Sequence, residues 1–397
     1  DKAGAIVRKL ISMLENALGR KIGKVYVSLG GQSVHTEVIR EMKQLSSSGI
    51  VTEEVVEQLR NAAEKYKPDM QRKYAIGDVE YFLDDKPEKN PVGVTCSMVE
   101  AEYQIVVGRP NLVSNIEKTI VDKGHLQIAG YIVGPLAAAA IVLTEEEKEL
   151  GCAFVDFGAG TTTLSIYKGG LLRRMVTIPF GGRSITRDIA ELNFVESDAE
   201  QYKIKFGKAR ENNESSLFSS PFSSKPDIDL VELNKVIVMR LDEITANIRE
   251  QIRLSGYQDQ LGAGLVITGG ASQLRNLEEY LSQQLDLPVR KASSRKTLVN
   301  NTPEFANDPA LTSALGMLLL ASENCEKTVE EFEDEESSDQ KSKGSVWSNF
   351  FGDRDKGDKG KEQKEKESKG KKEKSINIGG KMKNMFSTMF EEEDDDQ

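Results

Sequence analysis

Histidine, cysteine and tryptophan are scarce in this chain of 397 residues, which holds two His, three Cys and one Trp. Cys96, Cys152 and Cys325 lie far apart, so they offer no disulfide framework, and His35 and His125 add too little for a Cys/His zinc site. Thiol usage of this kind fits a reducing cytoplasm. Positive charge is in deficit too: 53 Lys and Arg stand against 64 Asp and Glu, a formal net charge of −11. That argues against nucleic acid as a partner, because binding it needs a basic face to displace counterions. Long apolar runs are also missing. The longest, from Tyr131 to Leu143, is interrupted by Pro135 and falls short of the ~20 residues of a spanning helix. The opening residues do not read as a secretory signal.

What is present is uneven. Up to about Ala321 the composition is that of a globular protein long enough for two or three domains. The chain opens at Asp1 directly in a helical pattern, with Ala5, Val7, Leu10, Ile11, Leu14 and Leu18 on one face. An architecture entered midway leads us to expect a fragment that lacks its N-terminal part. Gly23 to Leu29 alternates like a strand, Thr52 reads as the N-cap of a helix through Val55, Val56, Leu59 and Ala63, and strands are expected around Val79–Phe82 and Tyr103–Val107. Residues 22–107 thus read as a small α+β unit. Asn111–Lys123 is a helix pattern, and Leu136–Leu143 is a helix of small residues able to pack closely.

Cys152 to Ile178 contains three strand patterns separated by Gly158-Ala159-Gly160 and Lys168-Gly169-Gly170. Helices are expected at Ser184–Leu192, Ser197–Ile204 and Asn234–Leu254, around a Ser/Pro-rich loop at 211–228. Beyond Ser322 an acidic run and then a lysine-rich run carry too little apolar surface to offset ordering entropy, so disorder is expected there.

Two motifs carry chemistry. In Asp156-Phe157-Gly158-Ala159-Gly160-Thr161-Thr162 a strand delivers a carboxylate to a tight glycine turn. Gly158 and Gly160 let backbone N–H groups face phosphate oxygens, Thr161 and Thr162 add hydroxyls, and Asp156 can hold Mg²⁺ through water or orient an attacking water. The plain alternative is a hairpin turn with a surface Asp. No GxxxxGK[ST] occurs, which rules out a P-loop, and the turn leads into a strand, which rules out a dinucleotide fingerprint. In the second motif the apolar strand Leu265–Thr268 ends at Gly269-Gly270-Ala271-Ser272. Such a turn lets a flat heterocycle lie against backbone; alone, it reads equally as a packed strand-to-helix turn.

The two turns in this order resemble the actin, heat-shock chaperone and sugar-kinase superfamily. Gly134–Leu143 resembles its first connecting helix, Gly181-Gly182 a loop near the nucleotide, and Ala310–Leu320 its second connecting helix. Glu200 and Lys203, within Asp198–Lys205, match a segment whose Glu and Lys contact the nucleoside; read by themselves they are a solvated i, i+3 pair. The α+β unit before the first connecting helix, with Asn90-Pro91-Val92-Gly93 and the lead-in Leu143–Gly151, resembles the FtsA family of bacterial actin-like cell-division proteins.

That resemblance implies an α/β, actin-like ATPase fold of two lobes with an FtsA-type α+β insert domain. Residues 1–21 and 108–150 would form the first lobe, 22–107 the insert, 151–194 and 263–308 the core of the second lobe, and 195–262 its subdomain. Residues 309–322 would return a helix to the first lobe, followed by a disordered linker (323–380), an amphipathic helix (381–390) and an acidic tail (391–397). It implies ATP and Mg²⁺ as ligands, a filament of like subunits, and the FtsZ C-terminal tail bound within 195–262. Other division proteins and membrane lipids join as partners, with the protein on the cytoplasmic face of the inner membrane at the septum. Catalysis would be a weak ATPase at most, through Asp156. The family's first phosphate loop has no counterpart here, so this chain is expected to bind ATP weakly or not at all.

The C-terminus supplies a third motif. Met382, Met385, Phe386, Met389 and Phe390 recur at i, i+3, i+4, i+7 and i+8, flanked by Lys381 and Lys383. A ten-residue helix is marginal in water, so it should form on contact with an apolar partner, a membrane surface or another protein. The six acids Glu391–Asp396 would be repelled by anionic lipid, leaving contact to rest on the Met and Phe side chains. Rival readings are a pilus-assembly platform protein, a sugar or acetate kinase and an ATP-driven chaperone, of which none predicts this terminus on a long linker.

Overall fold

The computed structural model describes residues 2–210, 228–295, 297–298 and 303–327. The expected loop at 211–228 falls almost wholly outside them, as do the charged linker, the amphipathic segment at 381–390 and the acidic tail. Among the described residues no helix is long and apolar enough to cross a membrane.

The chain divides into two units. The smaller includes residues 2–25, 119–127 and 324–327. It is led by α1 (Lys2–Leu18), whose buried residue is Gly4, with Val7, Ile11, Leu14 and Leu18 half-buried along one stripe. The expected face is therefore shifted: Ala5 and Leu10 are exposed, because Gly4 turns its stripe onto the Lys123 side chain. Glu15 caps the following turn, accepting from Ile22 N at 3.0 Å and Lys21 Nζ at 2.8 Å.

The larger unit spans 26–118 and 128–323. β1 (Lys24–Leu29) pairs with a strand much later in the chain, β6 (Gln127–Val133), in a two-stranded ribbon. Between them come β2 (His35–Ile50), α2 (Glu53–Lys65), β3 (Arg72–Leu83), β4 (Lys86–Glu88), β5 (Thr95–Gly108) and α3 (Asn111–Glu117). Thr52 does cap α2, accepting from Val55 N. β2 is the element the sequence conceals. One of its faces is Val38, Arg40, Met42 and Gln44, opposite Gln104, Glu102, Glu100 and Met98 of β5, so polar and charged side chains mask the alternation. β3 outruns its expected bounds through register shifts at Lys73/Ala75 and Ile76/Val79. The expected helix at Asn111–Lys123 is α-helical only to Glu117 and closes in a π-helical turn, Lys118–Asp122.

The remaining elements build the site. They are α4 (Gly134–Val142), α5 (Glu145–Leu150), β7 (Cys152–Phe157), β8 (Thr162–Lys168), β9 (Leu171–Ile178), α6 (Gly182–Ala190), α7 (Glu196–Phe206), α8 (Leu230–Ser255), β10 (Leu265–Thr268), α9 (Leu277–Leu285), β11 (Val289–Lys291), α10 (Pro303–Asn307) and α11 (Thr312–Leu320). One nine-stranded sheet runs β11-β10-β7-β8-β9-β2-β5-β3-β4. β10 is parallel to β7 and β11, and the other neighbours are antiparallel. β9 meets β2 at a single pair, His35 with Val176. One face of β7, β8 and β10 packs on α6, α8 and α9 through Val155, Phe157, Ile185, Ile189, Ile237, Ile244 and Leu281. The other face packs on α4 through Phe154, Met175, Ala138 and Val142. A third cluster seats α2 on β2, β3 and β5. The small residues of α4 let α11 approach until a Cβ on Gly316 would lie 2.0 Å from the Ala137 carbonyl oxygen.

Candidate functional site

β7 is a buried strand whose last two residues diverge. Asp156 is paired with Thr163 of β8 and Phe157 with Thr162, so each pair shares a face of the sheet. Phe157 and Thr162 point to the helical core. Thr162 is fully buried and donates its hydroxyl to the Phe180 carbonyl at 2.9 Å, which withdraws it from any ligand. Thr163 is the threonine that shares the face of Asp156; its Oγ1 lies 3.3 Å from that of Thr177, which donates to Val34 O at 2.9 Å. Burial raises the Asp156 carboxyl from its usual 3.8 to about 6, with no cation among the described residues to oppose it.

The turn after Asp156 is held from inside. Gly158 N donates to Thr161 O at 2.9 Å, so that amide is spent. The Gly158 and Ala159 carbonyls accept from Gly182 N at 2.9 Å and Arg183 N at 2.7 Å, at the N-terminus of α6. Ala159 and Gly160 are exposed, Thr161 half so, and their amides have no partner among the described residues. That donor set is fit for an anion.

The second turn comes to the same place. Gly269 N donates to Pro309 O at 3.0 Å, and a Cβ on Gly269 would lie 2.4 Å from both Asp156 Oδ1 and the Phe157 carbonyl oxygen. Two glycine turns remote in sequence are therefore in contact. Gly269 leads into a 3₁₀ turn, Gly270–Gln273, and α9 starts only at Leu277, so no α-helix N-terminus stands at Gly270. Ser272 is fully buried and donates to Gly269 O at 2.7 Å, so it braces the turn and faces no ligand.

Beside the turns lies a cleft of about 800 Å³, lined by Ala159, Gly182, Thr186, Glu200, Lys203, Gly270 and Ala271 among others. Glu200 and Lys203 do more than pair with each other: the Lys203 side chain is largely buried, while Glu200 keeps part of its side chain in solvent. Lys203 Nζ donates to Glu200 Oε2 at 2.7 Å, Thr186 Oγ1 at 2.8 Å and Gly182 O at 2.9 Å, which uses all three of its protons. The Thr186 hydroxyl also contacts Glu200 Oε2. Burial draws the Glu200 carboxyl upward, but the hydrogen bonds from Lys203 and Thr186 and the Lys203 charge outweigh it and hold it below its usual value. Glu200 Oε1 takes part in none of these bonds. Thr186 escaped the sequence reading, although its i, i+4 spacing from Gly182 was a usable signal. Among the described residues no cluster of His, Cys, Asp and Glu suited to a metal is found; Asp156 is a single carboxylate.

The family model described as cell division protein FtsA matches residues 153–316. The cell division protein FtsA of Porphyromonas gingivalis is 30% identical over 337 residues, covering 82% of this chain and 69% of the relative. That of Escherichia coli K12 is 28% identical over 332 residues, 80% of this chain and 78% of the relative. Among solved structures, the PilM–PilN type IV pilus biogenesis complex aligns with a TM-score of 0.53 at 18% identity, over 82% of this chain and 87% of that one. At that identity the likeness is one of fold, mixed α/β and actin-like.

Proposed function

The chain belongs to the FtsA family of cell-division proteins, and from that premise we propose that it binds ATP at the two glycine turns, assembles with copies of itself and ties FtsZ filaments to the cytoplasmic membrane. The observation that carries the nucleotide part is the contact of the turns at Asp156 and Gly269 beside the cleft. The free amides of Ala159, Gly160 and Thr161 would receive phosphate oxygens. The nucleoside would lie in the cleft along Gly182, Gly270 and Ala271, with Glu200 Oε1 accepting from it. Lys203 acts through Glu200, since its own donors are committed.

Mg²⁺, when bound with the nucleotide, neutralises phosphate charge. Asp156 would hold it through water, for its carboxylate has no cation beside it among the described residues. A single half-buried carboxylate suits control of assembly better than rapid turnover. The FtsZ tail would bind within 195–262, and Met382, Met385, Phe386, Met389 and Phe390 would enter the lipid interface with Lys381 and Lys383 nearest the headgroups. On this reading the protein would act at the division septum beside other division proteins.

Titration with Mg²⁺ and a fluorescent ATP analogue should give weak, saturable binding that Ala271→Trp, whose indole obstructs the cleft beside Gly182, abolishes. Binding undiminished by that obstruction, or no binding at millimolar analogue, overturns the nucleotide reading.

A further inference from the structure

Helix α6 touches both halves of the cleft. Its first amides, Gly182 N and Arg183 N, hold the carbonyls of the phosphate turn. One turn on, Thr186 joins Lys203 and Glu200. A helix that serves two ligand-facing groups must be fixed in rotation as well as in place; Ile185 and Ile189 seat it on the core, and a directional contact is needed besides.

The fixing group is Arg240, in the middle of α8. Its Nε donates to Asp188 Oδ2 at 2.6 Å and its Nη2 to Asp188 Oδ1 at 2.8 Å, a two-pronged pair that constrains both position and tilt of the carboxylate on α6. Nη1 reaches Glu243 on α8 itself. The guanidinium also lies over the Phe180 ring, 5.3 Å from its centroid. Phe180 precedes the Gly181-Gly182 loop, and its carbonyl is the acceptor that Thr162 uses. Arg240 therefore grips α6 from behind and the loop leading into it from the side. Neither Arg240, Asp188 nor Phe180 lines the cleft.

We infer that Arg240 is a positioning residue for nucleotide binding: through Asp188 and Phe180 it sets the α6 N-terminus against the Gly158–Ala159 carbonyls, and so fixes the turn amides that would meet phosphate. The inference rests on the nucleotide reading for its functional consequence, and on the geometry alone for its structural one. An ion pair held at two points and stacked on a ring is only partly replaced by lysine, which supplies one flexible point charge.

Hydrogen–deuterium exchange without ligand tests the structural part. In Arg240→Met, the hydrogen-bonded amides of Gly158, Gly182, Arg183 and Ser184 should exchange about tenfold faster, while those of β10 and α9 keep their rates. Arg240→Lys should lie between, and Glu243→Gln should match the parent chain. Phe180→Leu, which keeps the ion pair, should loosen 180–184 and serves where Arg240→Met fails to fold. ATP-analogue affinity should fall about tenfold in Arg240→Met, and Asp188→Asn added to it should lower affinity no further. Unchanged exchange at these amides, or equal acceleration everywhere, overturns the inference. Absence of analogue binding by the parent chain would instead fail the nucleotide reading and leave the exchange pattern to decide.

Discussion

At φ 85° and ψ 162°, Gly269 occupies backbone that in practice only glycine adopts, at a cost of about 1–3 kcal/mol for any other residue. A Cβ there would also lie 2.4 Å from the Asp156 Oδ1 side-chain atom and from the Phe157 carbonyl oxygen, and the latter is backbone that cannot yield cheaply. Gly269→Ala should therefore lower the urea midpoint by more than the backbone cost alone implies. Asp156 supplies a pH test at the same scale. Its folded carboxyl titrates near 6 against an ordinary 3.8, so the folded state holds the proton more tightly than the unfolded one. Stability should fall as pH rises from about 4 to about 6, by at most ~3 kcal/mol, and stay lowered above that. Denaturation curves of Asp156→Asn should lack this decline, and identical pH profiles for the two chains would contradict the assigned burial.

Among elements, α5 shows how a short helix is held. Thr144 Oγ1 accepts from Glu147 N at 3.2 Å, and the Glu147 carboxylate accepts from Thr144 N at 3.0 Å, closing a capping box. The same carboxylate takes both prongs of Arg290 on β11 at 2.8 Å. Thr144→Ala should cost about 1 kcal/mol. Glu147→Gln, which disturbs cap and ion pair together, should cost more in chemical denaturation. The α4–α11 crossing depends on Gly316 in a different way. A Cβ there meets the Ala137 carbonyl rather than a side chain, so relief would require the helices to part.

For the whole molecule, the decisive question is what residues 381–390 do. Pelleting of the intact chain with liposomes should fall to background in a chain ending at Gly380, and equal pelleting would remove the tether.

The residues that bend or cap the chain are the ones legible before any coordinates. Gly269 marks a turn because few other residues accept its backbone, and Thr52 marks a helix start through a local hydrogen bond. The apolar period of α8 announced its buried face of Ile237, Leu241, Ile244, Ile248 and Ile252. All of these depend on neighbours a few positions away. β2 stayed hidden because the partners of Arg40 and Met42 are Glu102 and Glu100 of β5, far along the chain. For the same reason only the folded molecule showed that Thr162 is spent on Phe180, that Ser272 is a brace, that Lys203 has no proton left to offer and that Arg240 stands behind α6. Local sequence settles where the backbone can turn; which hydrogen-bonding groups remain unspent depends on what the distant chain brings against them.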